Sequence, residues 1–297
     1  MAPHSPRRSD APPGGRGAPR SPMGRAVIKF RRNGVAMTAL ALLVVLHVLV
    51  VLAPWIAPYG PETVQLGNRL QSPSREHWLG TDEYGRDVLT RLLHGGQVSL
   101  AVGIASMATA MVIGVAIGAV AGYAGGVADG VLMRITDGML AVPLFFIALM
   151  ALATLGATVT NLVAVIALSS WMTVARAVRA EVLRTRELEF VLAARAIGCG
   201  RLRILLRHVV PQSLPSITVA ATIGVALAVL LETALSFLGL GVQPPAASWG
   251  NMLSSARGYL RTAPGLAVLP GVLIFVTVLC YNWFGDGLRD AIDPGGS

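Results

Sequence analysis

Six stretches of this chain are too long and too continuously apolar to serve as the core of a water-soluble protein. They run from Val35 to Ala53, Val98 to Gly122, Met139 to Leu155, Ala157 to Ala175, Ser213 to Leu240 and Leu266 to Phe284. At about 1.5 Å of rise per residue, a helix needs roughly 20 residues to cross about 30 Å of hydrocarbon, and each run reaches or approaches that length. A closed barrel is the other way to satisfy every backbone group in lipid, but it needs short strands of alternating polarity, which these runs are not. The expectation is an all-α integral membrane protein with six spans.

The net charge of +9 raises the question of a nucleic-acid partner, and the placement of the 24 basic residues answers it. Eighteen lie before the first span, after the second, between the fourth and fifth, and after the sixth; six lie in the alternate loops. That asymmetry is the positive-inside pattern of six crossings with both termini in the cytoplasm. The basic stretch from Arg176 to Arg207 contains Phe190 as its single aromatic residue, so it lacks the stacking platform that a nucleic-acid surface needs. No nucleic acid is expected.

Residues 1–33 are rich in Pro, Gly, Ser and Arg and read as a disordered cytoplasmic tail, leaving residues 34–297 as the membrane domain. The first span is longer than a signal-peptide core and is followed by Ala53-Pro54-Trp55-Ile56, so it is read as an anchored helix. In the second span Ala110, Gly114, Gly118 and Gly122 recur every fourth residue, a small-residue stripe for close helix packing within the chain or between subunits. Arg134 and Asp137 are spaced to pair on a helix, and Pro143 should kink the third span. Cys199 and Cys280 imply no disulfide.

The most informative segment runs from Arg184 to Pro211. Leu188, Val191 and Leu192 share one helical face, Gly198 and Gly200 interrupt it, and Leu202, Leu205, Leu206 and Val209 restart the pattern. Two short amphipathic helices meeting at a glycine corner are expected. From periodicity alone such a pair is equally a docking surface for another protein or a membrane-surface element held by anionic lipid.

This segment resembles the cytoplasmic coupling loop of ABC importer permeases, whose pattern is Glu-Ala-Ala, a glycine four residues on and a proline about a dozen beyond. Ala193, Ala194, Gly198 and Pro211 fall in register, while Leu192 stands where the family has glutamate. The resemblance extends from about His77 to Pro294 and is closest to the second, C-type, permease subunit of dipeptide, oligopeptide and nickel importers. It includes Leu79-Gly80-Thr81-Asp82-Glu83, Gly85-Arg86-Asp87, Ala121-Gly122-Tyr123, Arg207-His208, the run from Leu235 to Pro245, Ser248 to Met252 and Gly285 to Asp290.

The resemblance implies a type I ABC importer permease fold and a role as half of a pathway for di- or oligopeptides, with nickel or another small solute as the alternative cargo. It also implies a second permease subunit, two ATPase domains and an extracytoplasmic solute-binding protein, in a bacterial cytoplasmic membrane. On the matching positions it places coupling to the ATPase at Glu187, Glu189, Leu192, Ala193, Ala194, Gly198, Arg201, Arg207 and Pro211. No Gly-Lys-Ser or Gly-Lys-Thr phosphate loop occurs and Lys29 is the one lysine, so ATP and magnesium are expected on partner chains and no cofactor on this one.

Glu232, inside the fifth span, is read either as a pathway or proton-carrying group or as a member of a helix interface, and Asp137 is its companion candidate. These two carboxylates permit a proton-coupled secondary carrier, but no internal repeat of the kind such carriers show is present. Paired catalytic carboxylates or a metal motif within the spans, which an intramembrane enzyme would need, are also missing. His47 reads as a neutral hydrogen-bonded residue. His77, Asp82, Glu83, Asp87 and His94 match no zinc or calcium spacing and read as helix capping by Thr81 or Asp82. Trp249 and Tyr259 suit an interfacial aromatic belt or a contact with the binding protein.

Overall fold

The computed structural model describes residues 22–292, and within them the chain is helical with no strand beyond one isolated bridge between Thr81 and Asp87. The helices are α1 (Pro22–Arg32), α2 (Gly34–Val51), α3 (Ala53–Ile56), α4 (Val88–Ala124), α5 (Gly126–Leu140), α6 (Leu144–Leu155), α7 (Val159–Thr185), α8 (Glu189–Ala196), α9 (Arg201–Ile204), α10 (Val210–Phe237), α11 (Trp249–Ala256) and α12 (Gly265–Ile292). Five helical stretches are long and apolar enough to cross a membrane: α2, α4, α7, Arg201–Phe237 and α12. The sixth crossing is α5 and α6 together, bent by 79° at their junction.

Packing register shows why that bent pair must carry the chain back across. Gly114 of α4 packs on Trp171 and Val174, Gly118 on Ala175 and Val178, and Gly122 on Arg179 and Val182, so α4 and α7 run parallel. The end of α4 can therefore reach the start of α7 only by a return passage. By the same register α4 opposes α10 (Gly103 on Val229, Gly224 on Met107), and α12 opposes α2 through Tyr281 and His47. Six crossings result, with α1 and the end of α12 at one face, here called the arginine-rich face, and the 53–87 segment at the other, the cap face.

The small-residue stripe is thus an intramolecular seam. Ala110, Gly114, Gly118 and Gly122 are all buried against α7, and a Cβ at Gly114 would stand 2.6 Å from Val174 Cβ and 2.7 Å from the Trp171 carbonyl oxygen. Close approach of backbones supplies the van der Waals contact that drives helix association in lipid, where no hydrophobic force acts.

Several boundaries differ from expectation for identifiable reasons. The second crossing begins at Val88 rather than Val98, because Asp87 caps it: its Oδ2 accepts from Thr90 N at 2.8 Å, so the amphipathic segment before the apolar run is already helix. The third does not start at Met139; helix extends back to Gly126 and breaks at residues 141–143, where Pro143 has no N–H to continue the ladder. The expected disordered tail is helical over Pro22–Arg32, an amphipathic turn set packed on α12 with Phe30 edge-on to Phe284 at 5.7 Å, while residues 1–21 lie outside the described residues.

The cap face is closed by two self-contained units. In the first, Asp82 accepts from the backbone of Tyr84 and Arg86 and pairs with Arg86 Nε at 2.7 Å; Arg91 Nε stands 3.4 Å from the same carboxylate, and His77 Nδ1 2.9 Å from Asp87. These groups are buried in a knot in which almost every charge has an opposite partner, so neither Thr81 nor Asp82 acts as the helix cap. In the second, α11 dips between α4 and α10, started by a reciprocal capping box of Ser248 and Asn251. Trp249 is fully buried there and donates from Nε1 to the Leu92 carbonyl at 2.9 Å, so it is a core anchor rather than a belt residue; Tyr259 is half-buried against the same core.

Candidate functional site

The segment from Arg184 to Pro211 forms the arginine-rich face. α7 ends at Thr185, and the chain turns so that Arg186 donates from Nη1 to the Gly122 carbonyl at the end of α4, 2.8 Å away, and from Nε to Glu187 at 2.9 Å. α8 begins at Glu189, which is exposed in its first turn, where a carboxylate complements the helix dipole. Val191 and Ala194 are buried against the bundle, while Leu188, Phe190, Leu192 and Ala193 face outward.

α8 closes at Ile197, and Gly198 then turns the chain at φ +82°, a conformation that side chains rarely adopt. The glycine corner is therefore where the sequence puts it. Beyond the corner there is no second independent helix. α9 starts at Arg201 with Gly200 as its N-cap and runs through a π-helical turn, Leu205–Val209, directly into α10, so α9 and the fifth crossing are one continuous element. The Val210 N–H reaches back to Leu205 O, and Pro211, which has no donor, falls at the restart of the α-helix, where none is needed.

The result is an apolar ridge with nothing over it among the described residues. Ile197 is 81% exposed and Leu202 68%, with Phe190, Leu192 and Leu206 also open. Arg203 and Arg207 flank the ridge, and Arg195 and Arg201 line a cavity beside it. None of the four has a carboxylate in ion-pair reach among the described residues, in contrast to Arg179, Arg184 and Arg186, which pair with Asp129, Glu181 and Glu187. The Arg179–Asp129 pair joins α7 to α5 through two contacts near 2.5 Å and replaces the expected Arg134–Asp137 pair, which does not form. Asp137 is exposed.

Glu232 is 0% exposed, at the seam of α4, α10 and α11. Ser236 Oγ donates to its Oε1 at 2.7 Å and accepts from Val242 N, and the hydroxyls of Ser99 and Ser248 lie close to the same carboxyl. Ser99 Oγ also accepts from Trp249 N. The carboxyl thus sits among hydroxyls that also contact the 242–249 segment, while its Oε2 has no hydrogen-bond partner among the described residues. His47 is hydrogen-bonded at both ring nitrogens, to Leu43 O and Tyr281 OH.

Periodicity did not reveal Arg186, Arg195, Asp129 or Arg179 as structural contacts, because each acts across 50 or more residues of chain. Near the same face a groove of about 570 Å³ lies between α7, α10 and the end of α12, with Glu181, Arg184, Gln212, Ser216 and Arg289 among its walls.

Comparison with known proteins accounts for this architecture. Residues 114–295 match the family described as binding-protein-dependent transport system inner membrane component, and residues 21–73 match the N-terminal TM domain of oligopeptide transport permease C. The glutathione transport system permease protein GsiD of Escherichia coli O6:K15:H31 (strain 536 / UPEC) is 42% identical over 267 residues, covering 90% of this chain and 88% of that one. The proteins of the same name from Shigella boydii serotype 4 (strain Sb227) and Escherichia coli O157:H7 are similar to the same extent. The bent pair α5 and α6, the 184–211 segment and α11 all fall inside the 114–295 match, and the chain belongs to the binding-protein-dependent inner membrane component family, as a permease subunit of an ABC importer of the oligopeptide type.

Proposed function

We propose that this subunit forms half of a translocation pathway for di- or oligopeptides, and that its 184–211 segment is the seat of a separate ATPase subunit. The observation that carries the reading is the ridge of Phe190, Leu192, Ile197, Leu202 and Leu206, uncovered among the described residues and flanked by Arg203 and Arg207, which have no carboxylate partner among them, on an element continuous with a membrane crossing. A stiff amphipathic lever transmits displacement; a loop with its own joints would absorb it. The relatives named for glutathione transport favour a short peptide as cargo.

In this reading both termini and the lever face the cytoplasm, as the distribution of Arg and Lys favours. Glu187, Glu189 and Arg207 supply polar contacts around the apolar ridge, Ala193 and Ala194 allow close approach, and Gly198 and Pro211 set the corner and the restart. ATP and magnesium act on the partner ATPases, a second permease completes the pathway, and an extracytoplasmic binding protein delivers peptide to the cap face. Closure of the ATPases then draws the lever inward and swings α10 with it.

The test is uptake of labelled glutathione and dipeptides by the complete importer in proteoliposomes carrying Gly198→Val. A Cβ-branched residue strains the φ +82° corner while meeting no neighbour within 4 Å, so assembly should survive and transport-coupled ATP hydrolysis should be lost. Normal coupling in that variant would overturn the proposal.

A further inference from the structure

Between α8 and the end of α4 lies a cavity of about 470 Å³ lined by Tyr123, Ala124, Arg195, Cys199, Arg201 and Ile204. Its floor is the last turn of α4, and its walls are the end of α8 and the start of α9. Arg195 does not join the outward ridge: its guanidinium lies over the Tyr123 ring, 5.6 Å from the centroid. Arg201 enters the same cavity from α9.

Neither cation has a carboxylate partner among the described residues, although the neighbouring Arg179, Arg184 and Arg186 all do. Two arginines lining one hollow without a carboxylate leave like charges that an anion would offset, and the planar fork of arginine suits the oxygens of phosphate. The other walls, Ile204 and the Tyr123 ring, are apolar, which suits the glycerol end of a lipid better than a free ion.

We propose that this cavity binds a phosphate group, held by Arg195 and Arg201, and that its occupant is the headgroup of an anionic phospholipid. Position decides for lipid over soluble phosphate. Tyr123 and Ala124 directly follow the apolar run of α4 that ends at Gly122, which puts the cavity at the edge of the hydrocarbon, where headgroups lie, with acyl chains free to run along α4. A lipid seated there ties the back of the lever to the end of the second crossing and stiffens the Gly198 corner. The inference rests on α4 spanning the membrane and on neither the cargo nor the ATPase assignment.

Native mass spectrometry of the full-length chain in neutral detergent tests it, with phosphatidylglycerol, phosphatidylcholine and inorganic phosphate offered in separate arms. Phosphatidylglycerol should be retained about tenfold better than phosphatidylcholine, and the double variant Arg195→Gln/Arg201→Gln should lose that preference. Arg203→Gln, on the same short helix but outside the cavity, should keep it. Retention unchanged in the double variant, or an equal loss in Arg203→Gln, would overturn the site in favour of diffuse attraction. Displacement of the lipid by millimolar inorganic phosphate, dependent on the same two arginines, would keep the phosphate chemistry and overturn lipid as its source. A double variant that binds lipid normally yet loses ATPase subunits would assign the arginines to protein docking and overturn the proposal outright.

Discussion

The two faces of this subunit treat their polar groups in opposite ways. At the cap face Asp82, Arg86, Arg91, His77 and Asp87 are buried and paired within some fifteen residues of chain, and Trp249 finds a carbonyl acceptor deep between helices. At the arginine-rich face Arg195, Arg201, Arg203 and Arg207 have no carboxylate partner among the described residues, and large apolar side chains stand in the open. A buried charge without a partner is costly, so the cap must satisfy itself to fold; an exposed one is cheap to leave open. The difference identifies the cap as fixed scaffold and the lever as a surface finished by something else.

The sharpest way to break that comparison is in the cap. Arg86→Met removes the cation that faces both Asp82 and Glu83 and leaves carboxylates buried with only Arg91 nearby. Loss of about 3–5 kcal/mol is expected, read as a collapse of thermal stability and of yield from membranes. The matching change on the lever, Arg203→Met, removes a cation with no ion pair and should leave the melting temperature in place. Equal losses in both variants would erase the distinction between the faces.

A smaller effect is expected at Trp249. Trp249→Phe keeps most of the apolar bulk but removes the indole hydrogen bond to the Leu92 carbonyl, which the α4 ladder still satisfies, and should cost about 0.5–1.5 kcal/mol. Because Trp249 N also donates to Ser99 Oγ, beside Glu232, the loosening should be local to α11 and appear first as faster hydrogen exchange at residues 248–256. Uniform acceleration across α4 and α10 would instead show that α11 is no separate unit.

Legibility in the sequence was a matter of range. The six crossings, the seam of Gly114, Gly118 and Gly122 and the Gly198 corner are all written in local periodicity or in single residues whose backbone demands are strict. The 79° bend was half visible, since Pro143 announced a break but not that helix would resume as far back as Gly126. The role of Trp249 was hidden: an aromatic residue in a predicted loop looks interfacial until one knows that Gly95 and Gly96 of α4 open a slot for it, with Trp249 Cζ2 2.9 Å from where a Cβ at Gly96 would stand. The merger of α9 with α10 was hidden for a similar reason. Pro211 reads as a stop in sequence, and only the π turn before it lets the helix continue.

The finest test of the comparison is Leu192→Glu, which restores the residue that the family pattern carries. Leu192 is nearly half exposed on α8, one residue from buried Val191, so the change asks nothing of the fold and should alter stability by less than about 0.5 kcal/mol. Its consequence should appear only with the partner present. A carboxylate on the arginine-flanked ridge would weaken the positive field that the lever offers an acidic partner, while adding an acceptor at the centre of the contact. If the ridge docks chiefly through apolar burial, replacing Leu192 lowers ATPase association by a few-fold, and Ile197→Ser, at a still more exposed position, lowers it further. If polar contact dominates, Leu192→Glu tightens the complex while Ile197→Ser leaves it unchanged. Either ordering, measured by co-purification of the assembled importer, says which kind of surface the uncovered face is.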